Sequence, residues 1–106
     1  MNKYNVKDYI KGWFIGDFEP TILRSKDFEI AIKEYEAGTI EDEHYHKEAV
    51  EYTIVLDGTI KMSGVEYGRH DIIEIEKMET NVFESITDSR LLVVKTPSVN
   101  GDKYIV

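Results

Sequence analysis

The residues best suited to chemistry lie close together. His44, Tyr45 and His46 are consecutive, and Glu51 follows after a four-residue gap. On an extended strand alternate side chains leave the same face, so His44 and His46 would present both imidazoles together. Two imidazoles and a carboxylate form a ligand set for a divalent transition metal such as Fe, Mn, Ni, Cu or Zn. A His-x-His pair is also at home as polar surface on an edge strand, so Glu51 has to decide. It opens the run Glu51-Tyr52-Thr53-Ile54-Val55-Leu56, in which alternation puts Glu51, Thr53 and Val55 on one face, toward the core. An inward carboxylate must be paired, hydrogen-bonded, protonated or metal-bound, because burying it alone is costly. Alternatively, Glu51 sits at the sheet end, where water reaches it.

The charge pattern frames these residues. The 106-residue chain has 21 acids, 13 Lys and Arg, and a formal net charge of −8. Residues 27–51 alone hold nine acids against Lys33 and Lys47, a net of −7. This segment reads either as a solvated acidic face or as a cation-attracting rim around a site. A rim of that kind would disfavour polyanionic substrates unless a metal offset it. Without a cluster of Lys and Arg, nucleic acid and anionic membrane surfaces are poor partners. The longest apolar run, Leu91 to Val94, is four residues, against the roughly 20 needed to span a bilayer. Zero cysteines exclude disulfides, thiolate metal sites and cysteine nucleophiles. The N-terminal residues lack the apolar stretch of a secretory signal, and a cytoplasmic protein is the expectation.

Seven short β-type runs, at 29–35, 43–46, 51–56, 59–63, 72–75, 81–86 and 91–96, must position the candidate residues. Gly38, Asp57-Gly58, Gly64, Gly68, the 87–89 turn and Asn100-Gly101 punctuate them. Such a series in a chain sized for one domain points to an all-β sandwich or barrel. The segment 4–24 reads as an extended arm with a short helix at 6–11. Asp57-Gly58 predicts a two-residue hairpin of type I′, which would pair Val55 with Ile60 and Thr53 with Met62. Its inward face would then carry Glu51, Thr53, Val55, Ile60 and Met62. Its outer face would carry Tyr52, Ile54 and Leu56.

The spacing takes a more specific form. Gly38, five residues, His44-Tyr45-His46, four residues, Glu51, six residues and Gly58 resembles the first signature motif of the cupin superfamily at every defined position. A second cupin-like stretch begins at His70-Asp71, where the family has Gly-Asp, and runs through Ile72-Ile73-Glu74-Ile75. It then presents Asn81 where the family places its fourth ligand, a histidine. The resemblance covers about residues 28–97 and implies a double-stranded β-helix, or jelly-roll barrel. It implies a single domain with an N-terminal arm at 1–27, a barrel core at 28–97 and a tail at 98–106. It also implies a metal site at His44, His46, Glu51 and Asn81. Asn81 leaves two histidines and one carboxylate, a set that suffices for non-haem iron chemistry, or else marks weakened or lost metal binding. His70 precedes its strand and should lie at the opposite end from Asn81.

Lys33, Tyr35, Met62 and Phe83 are expected to line the barrel interior, as ligand contacts or as ordinary core. Trp13 and Phe14 could pack on the outer sheet or on a second subunit. The resemblance implies a homodimer, and the half-apolar outer face Tyr52/Ile54/Leu56 would suit one. Three functions stay open: a metal-dependent oxygenase or isomerase acting on a small molecule, a non-catalytic metal- or metabolite-binding module, and a metal-free sugar isomerase or epimerase with a barrel histidine as base. Fold-level analogy cannot name the substrate.

Overall fold

The computed structural model describes residues 1–106. Its strands are β1 (Trp13–Ile15), β2 (Glu29–Tyr35), β3 (His44–Tyr45), β4 (Val50–Asp57), β5 (Ile60–Met62), β6 (Val65–Tyr67), β7 (Ile72–Ile75), β8 (Phe83–Ser85), β9 (Ser89–Thr96) and β10 (Tyr104–Ile105). An antiparallel five-stranded sheet in the order β1-β2-β9-β4-β7 forms one wall. The other wall is the sheet β6-β5-β8, continued by residues 38–44 running along β8 and by the pair β10-β3. Val55, Ile73, Ile75, Leu91 and Val93 from the first wall meet Ile60, Met62 and Phe83 from the second in one buried core. The architecture is the double-stranded β-helix that the resemblance implied.

The runs at 29–35 and 72–75 coincide with β2 and β7; β7 alternates cleanly between exposed and buried positions, whereas most of β2 is half-buried, with Ala31 its one fully buried residue. Strands β1, β6 and β10 had no signal of their own. Each is two or three residues long, too short for a period, and exists only because a neighbouring strand offers hydrogen bonds. The segment expected as a short helix forms two single turns, Val6–Asp8 and Ile10–Gly12, the first capped by the Asn5 side chain accepting from Lys7 N.

The hairpin expected at Asp57-Gly58 is absent. Strand β4 pairs with β9 on one edge and β7 on the other, so both edges are taken and β5 crosses to the opposite sheet. Only Gly58 has a positive φ there, +85°, and a Cβ on it would run into the Asp88 carbonyl and Ser89 Cα. Gly58 serves a close packing of two crossing loops instead of a type I′ turn. The two-residue turn with both central φ positive is Ser63-Gly64, at 48° and 85°, joining β5 to β6. The inward row nevertheless survives: Glu51, Thr53, Val55, Ile60 and Met62 are all buried. Alternation assigns a face whichever strand lies alongside.

Candidate metal and ligand site

His44 and His46 bracket the strand β3, while Glu51 is the second residue of β4. The link between them folds back because three successive N–H groups, from Lys47, Glu48 and Ala49, donate to the Asp102 carboxylate. That return brings His46 Nε2 to 3.4 Å from Glu51 Oε1, with His46 2% and Glu51 8% exposed. Asn81 comes from the opposite side of β3. Its backbone exchanges two hydrogen bonds with His44, and its side chain is buried beside the same pocket. All four residues expected as ligands therefore lie in one neighbourhood, with the two imidazole centroids 5.3 Å apart.

Both histidines are oriented from behind. His46 Nδ1 donates to the Asp102 carbonyl, and His44 Nδ1 to the Asp42 carbonyl. Each ring is left with Nε2 as its free nitrogen, the arrangement in which outer partners fix the tautomer of a ligating histidine. His46 Nε2 is buried and has no hydrogen-bond partner, as does Asn81 Nδ2. Glu51 Oε2 accepts from the Thr53 hydroxyl at 2.8 Å, which leaves Oε1 facing the imidazole. A lone pair facing a buried carboxylate needs a positive charge between them, either a second proton on His46 or a metal ion. Two ligands of a tetrahedral ion with bonds of about 2.0–2.1 Å lie about 3.3 Å apart, so the pair fits one ion. No three His, Asp or Glu side chains converge on a common point, so His44 would have to turn to join that pair.

The electrostatics follow from burial and neighbours. Burial raises the Glu51 carboxyl, but the His46 ring, Lys95 and the Thr53 hydroxyl outweigh it and hold the group below the usual carboxylate range. Burial pushes the His44 imidazole down, against the pull of the Asp42 carbonyl, with Lys103 adding to the shift. His44 is thus neutral at neutral pH, with Nε2 available as a ligand or a base.

A pocket of about 510 Å³ opens beside this cluster. His44, Glu51 and Asn81 line it, and so do Lys33, Tyr35, Met62 and Phe83, while His46 stays behind the wall. The Tyr35 and Phe83 rings pack at a tilt of 45° with centroids 4.6 Å apart. Burial and the neighbouring Glu41 push the Tyr35 phenol up, so it stays protonated as a donor. Trp13 does not lie on the outer sheet. It pairs with Ala31 on the inner face and lines the pocket. His70 is exposed in a turn away from the site. The acidic rim is also different from expectation: of the nine acids at 27–51, only Glu41, Asp42 and Glu51 line the pocket, beside Lys11, Lys33, Lys95 and Lys103. Asp102, missed in the sequence reading, had only its place beside a turn-forming Asn100-Gly101 to suggest a role.

The chain matches no family model and no curated protein. Solved structures are similar to it. An uncharacterized conserved protein with a double-stranded beta-helix domain from Klebsiella pneumoniae superposes with a TM-score of 0.73 at 13% identity, covering 98% of this chain and 90% of that one. An RmlC-like cupin protein from Desulfovibrio desulfuricans gives 0.64 at 21% identity, over 71% and 76%. The DMSP lyase DddQ from Ruegeria pomeroyi gives 0.72 at 16% identity, over 93% of this chain and 54% of that one. Ten short strands folded as two facing walls, in agreement with these structures, give this chain the cupin fold.

Proposed function

We propose that this protein binds a divalent transition metal through His46, Glu51 and His44, with Asn81 alongside, and acts on a small molecule held in the adjoining pocket. The observation that carries the reading is the buried His46 Nε2, without a hydrogen-bond partner and 3.4 Å from Glu51 Oε1. A bound ion would supply Lewis-acid polarisation or dioxygen activation there. The chain's own residues do the rest: Asp102 and Asp42 fix the rings, Thr53 holds Glu51, and Met62 and Phe83 give the pocket an apolar wall. Similarity to a DMSP lyase at the level of fold supports small-molecule chemistry in such a barrel.

The test is metal content. Untagged protein, as purified and after reconstitution with Mn, Fe, Ni, Cu or Zn, should carry about one equivalent by mass spectrometry, and His46→Ala and Glu51→Ala should lose it. Wild type that takes up no metal under any of these conditions sinks the proposal.

The neutral His44 beside the pocket favours one second reading, a metal-free isomerase or epimerase with His44 as general base. Turnover that survives chelation and disappears in His44→Gln would select it.

A further inference from the structure

The register of the five-stranded sheet places charge where its inner face should be apolar. Across the sheet, Trp13, Ala31, Val93 and Thr53 form one inward row. Inward residues flank it two positions away on either side: Lys33 opposite Leu91, and Lys95 opposite both Glu29 and Glu51. The two ammonium groups converge on one ring, with Lys33 Nζ 5.0 Å and Lys95 Nζ 5.1 Å from the Trp13 centroid. Lys11, from the arm, and Lys103, from the segment before β10, line the same pocket.

None of these four lysines is ion-paired. The carboxylate pairs of this protein involve Arg24, His46 and Arg90. In a chain with 21 acids and 13 Lys and Arg, unpaired cations gathered in one concavity are not what charge balance alone would produce. Lys33 is held in place by donating to the Lys11 carbonyl at 2.8 Å, and burial lowers its pKa to about 8. Like charges in a half-buried site repel, and a bound anion would relieve that repulsion.

The lining also limits which anion fits. Glu41, Asp42 and Glu51 against four lysines leave a single net positive charge, which suits a monoanion better than a phosphate dianion. The lysines come from four separate segments and flank an aromatic face; no glycine-rich loop or α-helix N-terminus is present to cradle a phosphate. Met62, Phe83, Leu91 and Val93 supply an apolar floor for the rest of the molecule.

We propose that the pocket binds a small organic carboxylate with an apolar body, its carboxylate held at the mouth by Lys33 and Lys95 beside Trp13 and its body on the Met62–Phe83 floor. The proposal rests on the reading of this pocket as the small-molecule site, and it does not depend on a metal being bound.

Trp13 is the only tryptophan, so its emission reports on this pocket alone. Full-length protein, once metal-loaded and once chelated, is titrated with benzoate, phenylacetate and hexanoate, with the corresponding amides, and with inorganic phosphate. A saturable change in Trp13 emission is expected with at least one carboxylate, at a Kd at least tenfold below that of its amide and of phosphate. Lys95→Met and Lys103→Ala should each reduce that preference several-fold, while Arg90→Met, at an exposed pair with Glu34, should leave it unchanged. Carboxylate and amide binding equally, phosphate binding more tightly, or no response to any carboxylate overturns the proposal. A preference that persists in chelated protein upholds it even where the metal reading has failed.

Discussion

His46 and Asp102 are 56 residues apart in the chain and are joined twice over. The Asp102 carbonyl accepts from His46 Nδ1, and the Asp102 carboxylate takes the N–H groups of Lys47, Glu48 and Ala49. One residue thereby aims the imidazole and shapes the loop that delivers Glu51 to it. Asp102→Ala would leave three N–H groups of this loop without their acceptor, and urea unfolding should show a loss of about 2–3 kcal/mol. Metal affinity should fall about 10-fold, because the loop that sets Glu51 against His46 loses its anchor, although the backbone carbonyl behind the ring remains. An unchanged unfolding midpoint would refute the role.

The same residue predicts an acid limb. Burial raises the Asp102 carboxyl, but the N–H donors of Lys47, Ala49 and Glu48 outweigh it and hold the group below its reference value of 3.8. The unfolded chain therefore binds the proton more readily than the folded one. The stabilisation is complete above the unfolded value and drains away as pH falls through the lower folded value. The stability difference between wild type and Asp102→Asn should be large at neutral pH and shrink steadily below about pH 4. A difference independent of pH would contradict this.

Thr53→Val keeps the shape of a fully buried side chain and removes the hydroxyl that donates to Glu51 Oε2. The carboxylate then loses a charge-assisted bond, and the expected cost is about 2 kcal/mol in chemical denaturation. Thr53→Ser, which retains the donor, should recover most of it after allowance for the lost methyl.

Lys33→Met should stabilise the ligand-free protein. Burial, opposed only by Glu41 and reinforced by Lys95, Lys11 and Lys103, lowers the Lys33 pKa from 10.5 to about 8. The unfolded state holds its proton through that interval, so the penalty is full below pH 8 and is relieved as pH rises toward 10.5. After discounting for solvent screening, a gain of about 1 kcal/mol at neutral pH is expected, several degrees in Tm. A variant less stable than wild type at pH 7 would count against an uncompensated charge.

Gly12 holds the arm against the barrel. Its φ is +81°, and a Cβ there would strike the Ile32 carbonyl on β2. Gly12→Ala should lift Lys11 and Trp13 off the sheet, red-shifting the tryptophan emission. Gly38→Ala shares the positive φ but has open space around it. It should cost only about 1 kcal/mol of backbone strain and leave the emission unchanged.

What could be read from the sequence alone was whatever depends on neighbours along the chain. Alternation put Glu51, Thr53 and Val55 on one face, and the period of two put both imidazoles on one side of their strand. Those inferences hold whichever strand lies alongside, so the inward row remained correct although the hairpin that had justified half of it did not form. The fold class came by another route, from the resemblance of the stretch from Gly38 to Gly58 to a cupin motif. Which strands pair is a different matter, because an edge of β4 can be satisfied by any strand that reaches it, and in the folded chain β7 and β9 occupy both edges. The Asp102 support, the inward turn of Trp13 and the meeting of Lys11, Lys33, Lys95 and Lys103 all join residues distant in the chain. The acidic run at 27–51 suggested a negative site because charge was counted along the sequence. The folded pocket collects its charge from four separate segments, and only closure of the barrel decided that lysines would face it.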